Sequence, residues 1–225
     1  MIRDHDKSDK GRASSERTRQ ALVQAALQLF GDKGFAATST REIAAAARAN
    51  IGSIAYHFGG KEALRDACAA HIVDGVGKVA GPVLNALTPP ADRASAEMQL
   101  RLAVERMGGF MLASPEAASY VQFILRELQH PTAALDIIFG GVIEPLHRRF
   151  CRIWATATGE EPESEAVKIV VFAMIGQLVY FRIGREAVVR RMGWDDLGPR
   201  EAKQIAATAF DNMMAVIVAR RKDGA

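Results

Sequence analysis

The stretch Ala49–Leu64, ANIGSIAYHFGGKEAL, puts an amide, a Gly-Ser pair, three consecutive rings (Tyr56, His57, Phe58) and a lysine close together. This set suits contact with a nucleic acid better than bond breaking. Asn50 can cap a helix N-terminus. Behind it, Ile51 offers an apolar surface to a thymine methyl, Gly52 permits close approach, and Ser53 can serve either a base edge or a phosphate. One turn further on, the polar tips of Tyr56 and His57 can donate to phosphate, and Lys61 adds a cation at the start of the next helix. Ile54 and Phe58 fall on the opposite, core-facing side.

Other chemistries are poorly represented. There is no Ser-His-Asp order, phosphate-cradling glycine loop or HExxH, so no catalytic residue and no cofactor is expected. Cys68 and His71 stand at i, i+3, and His147 and Cys151 at i, i+4. Each pair can share a helix face, which leaves a metal- or redox-responsive sensor as the alternative function. Buried thiols and satisfied imidazoles are the commoner explanation, so no metal site is assigned.

Helices must position these groups. Apolar residues recur at helical spacing, alanine is abundant and β-branched alternation is scarce, which predicts an all-α protein of about nine helices. With 225 residues, 49% hydrophobic and 24% charged, the composition is that of one or two globular domains. The net charge of +3 is unevenly placed: residues 1–65 carry 11 Lys/Arg against 7 Asp/Glu, while the remainder is slightly acidic. A basic first segment meeting a polyanion accounts for this.

Residues 1–14 are expected as a flexible arm. With its continuation it carries Lys7, Lys10, Arg12, Arg17 and Arg19, for phosphate contact or merely as a solvated tail. A first helix capped by Ser14 or Ser15 should end at Gly34, with Phe35 folding back as an anchor. Ser39 or Thr40 should cap a second, Arg41–Ala47, and Asn50 a third that ends at Phe58. Lys61 opens a fourth, broken near Gly81-Pro82. Two short helices joined by a tight turn form a helix-turn-helix, which presents its second helix to the DNA major groove. The expected domains are 15–65 for DNA binding and 66–225 beyond it. The longest apolar run, Ile169–Phe181, is shorter than the roughly 18 residues of a membrane span. With two cysteines and no apolar leader at the start, a soluble, cytoplasmic protein is expected.

The segment Arg17–Leu64 resembles the DNA-binding region of the TetR family of bacterial transcriptional regulators. The motifs A..LF...G...T, T.REIA.AA, YHF and KE.L occur in family order and spacing. The resemblance implies that Thr40, Tyr56, His57 and Lys61 hold phosphates, while Arg41, Ile51, Gly52 and Ser53 lie nearest the base edges of double-stranded operator DNA. Arg48 departs from the pattern, because it stands at a turn position where the family usually has Gly or Asn. Either a left-handed conformation there costs about 1 kcal/mol, or the turn is shaped differently and Arg48 reaches a phosphate instead.

Further along, FILRELQHPTAALDIIFGGVIEPLHRRF followed by GREAVVRRMGWDDL is similar to the branch with a CecR-type C-terminal domain, associated with export of or sensitivity to toxic compounds. The resemblance implies that residues 66–225 bind a small-molecule effector, lipophilic or aromatic, and form a homodimer. Its pocket is expected among Met107, Phe110, Met111, Phe123, Ile138 and Phe139. Arg126 either holds a polar end of the effector or pairs with its neighbours. The dimer interface is expected on two stripes, Val167, Val170, Val171, Met174, Leu178 and Phe181 on one helix and Ile205, Ala209, Met213 and Val216 on the other. The competing expectation is that both stripes face their own core. The function expected is a ligand-responsive repressor.

Overall fold

The computed structural model describes residues 3–84 and 89–221, which are helical with no strand among them. The described residues form eleven α-helices: α1 (Arg3–Lys33), α2 (Thr40–Ala46), α3 (Gly52–Phe58), α4 (Lys61–Leu84), α5 (Arg93–Ala113), α6 (Pro115–Gln129), α7 (Ala133–Ile138), α8 (Glu144–Thr158), α9 (Glu165–Ile183), α10 (Arg185–Met192) and α11 (Pro199–Arg220). A π-helical segment, Phe139–Ile143, joins α7 to α8. The two short helices α7 and α10 account for the excess over the expected number. Pro131 separates α7 from α6, while Gly184 and the left-handed Gly193 (φ 66°) bound α10.

Helix α1 begins at Arg3 rather than at Ser14 or Ser15, so most of the stretch expected to be a flexible arm is helical. Ser14 is interior: its carbonyl accepts from the Thr18 hydroxyl at 3.1 Å, one turn on, and Arg17 Nε donates to the Ala13 carbonyl at 3.1 Å. Long charged side chains lose little freedom in a helix, so this polar run propagates through the serines. The Lys7 and Lys10 side chains lie outside those described. Helix α4 (Lys61–Leu84) likewise continues through Gly81-Pro82.

The chain divides into two compact units, one of residues 1–73 with 119–138 and one of residues 74–118 with 139–225. The first boundary thus falls inside α4, beyond the expected residue 65, and the C-terminal part of α6 joins the N-terminal helices. The reason is packing at the end of α1. Phe123 is buried with its ring 6.5 Å from that of Phe30. Arg126 donates from Nε to the Gly31 carbonyl at 3.1 Å and from Nη2 to the Asp32 carbonyl at 2.9 Å. Carbonyls in the last turn of a helix have no intrahelical partner, and this guanidinium supplies one. Leu22, Ala26, Ile43, Ile54 and Leu64 complete the core that holds α1, α2, α3 and α4.

In the second unit α5, α8, α9 and α11 enclose a separate core around Leu100, Trp154, Val171 and Ile205. Helices α5 and α11 approach closely at Gly108, where an added Cβ would meet Ala206 Cβ at 3.1 Å. Trp154 is held at its edge as well as its faces. Its indole N–H donates to Glu160 at 2.9 Å, and Arg220 grips the same carboxylate at 2.7 Å. Burial pushes the Glu160 carboxyl up, but the hydrogen bonds from Arg220 and Trp154 outweigh it and hold the group below its ordinary range.

Candidate nucleic-acid interface and effector cavity

Helices α2 and α3 are aimed by small, local devices. Ser39 caps α2 in a closed box: its hydroxyl accepts from the Glu42 N–H at 3.2 Å, and the Glu42 carboxylate accepts from the Ser39 N–H at 2.8 Å. The buried Thr38 hydroxyl donates to the Gly34 carbonyl at 2.8 Å, tying the approach of α2 to the end of α1. Between α2 and α3, Arg48 adopts φ 52°, the only positive φ outside glycine among the described residues. The left-handed turn therefore forms despite the arginine. Asn50 Oδ1 accepts from the Gly52 N–H at 2.8 Å, which satisfies the first orphan donor of α3, and Gly59 (φ 80°) ends that helix.

Lys33 Nζ lies 2.8 Å from Glu42. Its hydrogen bond, followed by those from the Ser39 backbone and hydroxyl, brings the Glu42 carboxyl from an ordinary 4.5 down to about 2. A folded pKa below the unfolded one stabilises above the unfolded value and is lost as pH falls through the folded value. Glu42→Gln keeps a capping acceptor and removes the charge. Its thermal unfolding should therefore fall below wild type at pH 7, with the gap closing between pH about 4.5 and about 2. A gap that stays constant across that range would separate the Glu42 charge from α2 stability.

The expected DNA-contacting residues differ in exposure. Arg41, Asn50 and Gly52 are exposed, and Thr40, Ser53 and His57 are half-buried. Ile51 is 50% and Tyr56 81% exposed, an apolar and an aromatic side chain left in water at either end of α3. His57 packs edge-on against Tyr56 with centroids 4.9 Å apart, whereas Ile54 is buried. Lys61 differs from its expected role. Its ammonium donates to the Phe35 carbonyl at 2.5 Å and lies 4.1 Å from the centre of the Phe35 ring, so in this structure it fastens the α1–α2 loop.

The expected effector-pocket residues do not converge. Phe123, Arg126 and Ile138 belong to the first unit, where Arg126 serves α1, and Phe139 borders a surface cleft with His147 and Phe172. Phe110 is half-buried on α5 and does not line the cavity enclosed in the second unit. Only Met107 and Met111 reach that cavity, a space of about 50 Å³ closed by Val104, Phe150, Trp154, Met174 and Met213 among others. The walls from α8, α9 and α11 come from helices distant in sequence, so no local pattern could reveal them.

The expected interface stripes are also corrected. Val167, Val170, Val171 and Leu178 of α9, with Ile205, Ala209 and Met213 of α11, are buried within their own unit. Met174, Phe181 and Val216 pack against the same core. The exposed side of α9 instead carries Ile169 (61% exposed), Phe172, Tyr180 and Ile183, with Ala173 and Gly176 between them, and the Phe172 ring stacks on His147 with centroids 3.8 Å apart. The signal was available: α9 is apolar on both sides, with mean hydropathy 1.8 over its most apolar stretch. By length and composition alone it meets the criterion for a membrane span, but its inner side packs against α5, α8 and α11.

The two Cys/His pairs are occupied by ordinary partners. His71 Nε2 lies 2.8 Å from the Gln24 amide, and the buried Cys68 Sγ donates to the Val23 carbonyl at 3.6 Å. His147 Nε2 lies 3.1 Å from the Lys168 carbonyl, and Cys151 Sγ 3.7 Å from His147 Nδ1. Among the described residues no group of three or more His, Cys, Asp or Glu could hold a metal.

A capped helix-turn-helix in one unit and a helical unit with an apolar cavity define the class of DNA-binding transcriptional regulators. Residues 22–68 match the family described as "Bacterial regulatory proteins, tetR family", and residues 96–220 match "HTH-type transcriptional dual regulator CecR, C-terminal domain". The HTH-type transcriptional dual regulator CecR of Shigella flexneri is 35% identical over 198 residues, covering 86% of this chain and 88% of that protein. The chain belongs to the TetR family of transcriptional regulators, in the branch with a CecR-type C-terminal domain. It is a regulator of a DNA-binding family and not an enzyme. Solved structures share the fold. A TetR-like regulator from Rhodococcus sp. RHA1 superposes with TM-score 0.62 at 20% identity, covering 88% of this chain and 96% of that one. AibR in complex with isovaleryl coenzyme A and operator DNA superposes with TM-score 0.65 at 16% identity, covering 87% and 97%.

Proposed function

We propose that this protein is a cytoplasmic homodimeric repressor that leaves its operator when a small lipophilic or aromatic molecule enters the second unit, and that it controls export of or resistance to toxic compounds. The observation that carries the DNA-binding part is the exposure of Ile51 and Tyr56 at the two ends of a capped α3. Burial in the protein does not account for their positions, and a major groove does. Thr40, Tyr56 and His57 face phosphates in this reading, with Lys61 able to join them through its remaining protons. Arg41, Asn50, Ile51, Gly52 and Ser53 lie at base edges.

The effector reading rests on the cavity. At about 50 Å³ it is far smaller than the roughly 300–1,000 Å³ of ordinary ligand sites. Four methionines, Met107, Met111, Met174 and Met213, line it, and their flexible thioethers can repack. An effector that favours an opened state shifts the population toward it, and DNA affinity changes by linkage. The test is binding of the purified protein to its own upstream intergenic DNA at several salt concentrations, with and without lipophilic drugs, aromatics and zinc. Selective binding released by one class of compound supports the reading. Absence of selective binding at every salt concentration refutes it, and release by zinc alone would favour the metal sensor.

Dimerisation rests on the outer stripe of α9. Two recognition helices read two half-sites only if the protomers are held together. Ile183→Glu with Ile169→Glu places charge on exposed positions, so the monomer fold should persist. Sedimentation should then give a monomer, and operator affinity should fall on the order of 100-fold. A dimer that survives both charges would move the interface elsewhere.

A further inference from the structure

The first unit contains a cavity of about 390 Å³ at the end of α1, bounded by the loop 34–37, Arg65 of α4 and the last turn of α6. Its chemistry differs from that of the methionine-lined cavity. Phe30, Phe35 and Phe123 provide ring surfaces, with the centroids of Phe30 and Phe35 5.3 Å apart. The Arg65 guanidinium stacks 4.1 Å from the centre of the Phe35 ring, and its Nε is buried with no hydrogen-bond partner. Arg65 makes no ion pair among the described residues, whereas Lys33 is neutralised by Glu42. The guanidinium of Arg126 donates to the Gly31 and Asp32 carbonyls, which leave its charge in place. Opposite stands Glu127, buried and accepting from the Thr132 hydroxyl at 2.5 Å.

Two uncompensated guanidinium groups against one carboxylate leave a single positive charge beside a wall of rings. A guanidinium that lines the cavity without an ion pair is a ready partner for a ligand carboxylate, through the charge-assisted bonds its terminal nitrogens can form. We propose that this cavity is a second effector site, separate from the one in the second unit, and that it takes a small aromatic monocarboxylate. The ring lies among Phe30, Phe35 and Phe123, and the carboxylate meets Arg65. Residues 34–37 lead directly into Thr38 and the Ser39 cap of α2, so occupancy reaches the DNA-binding helices through the loop that aims them.

The experiment is a ligand-observed NMR titration of the full chain with benzoate, phenylacetate and indole-3-acetate, alongside their primary amides. At least one acid should bind saturably, about tenfold or more tighter than its amide, because only the acid carries the charge that Arg65 lacks. Arg65→Gln should reduce that binding about tenfold. Met107→Phe, which fills the cavity of the second unit, should leave it unchanged. Should Arg65→Gln lose helicity, Ala37→Leu, which obstructs the mouth from an exposed loop position, is expected to weaken binding instead. No saturable binding by any acid overturns the proposal, as does equal binding of acid and amide. Binding lost in Met107→Phe, whether or not Arg65→Gln retains it, also overturns it, because the two residues line separate cavities.

Discussion

Gly52→Glu should abolish operator binding while leaving the protein as stable as before. A Cβ at Gly52 would meet nothing nearer than Asn50 Oδ1 at 3.4 Å, and the residue opens α3 on an exposed surface. A carboxylate in the first turn of a helix is stabilising by about 0.3–1 kcal/mol, so the thermal midpoint should hold or rise slightly. The same carboxylate stands where α3 would enter the groove, close to the phosphates, and removes the close approach that glycine allows. Affinity should fall on the order of 100-fold or more, and each protomer of a dimer contributes to the loss. Fluorescence anisotropy with operator DNA, paired with thermal melts, measures both quantities. An affinity within about threefold of wild type would mean that the N-terminus of α3 does not face the bases.

Trp154→Ala should produce the largest loss of stability. Trp154 is 1% exposed, forms part of the cavity wall, and donates to a carboxylate that Arg220 also holds. Deleting it removes a large buried surface and enlarges an existing void, which costs about 3–5 kcal/mol in typical cores. That is a large part of the roughly 5–15 kcal/mol that separates folded from unfolded domains. Trp154→Phe, which keeps a ring and loses the indole N–H, should cost less. Chemical denaturation followed by circular dichroism provides the comparison. A loss below about 1 kcal/mol for the alanine variant would show that the second unit collapses around the missing ring. The enlarged cavity should also admit apolar ligands too large for wild type, a result that titration of the same variant would reveal.

The sequence by itself determined the helical class and the place of the helix-turn-helix. These depend on signals within a few residues: a serine three positions before Glu42, an asparagine two before Gly52, glycines at left-handed positions, and rings spaced to divide between core and solvent. That Arg48 takes the left-handed conformation was decided by the structure, since the sequence left a differently shaped turn open. Tertiary structure alone decided which side of α9 is buried. Both sides are apolar, and only the packing of α5, α8 and α11 distinguishes Val167 and Leu178 from Phe172 and Tyr180. It also decided that Lys61 binds Phe35, that Arg126 serves the end of α1, and that the enclosed cavity draws its walls from four helices. Periodicity records that a residue has an apolar side to its helix, but the partner of that side is chosen by contacts between segments far apart in the chain.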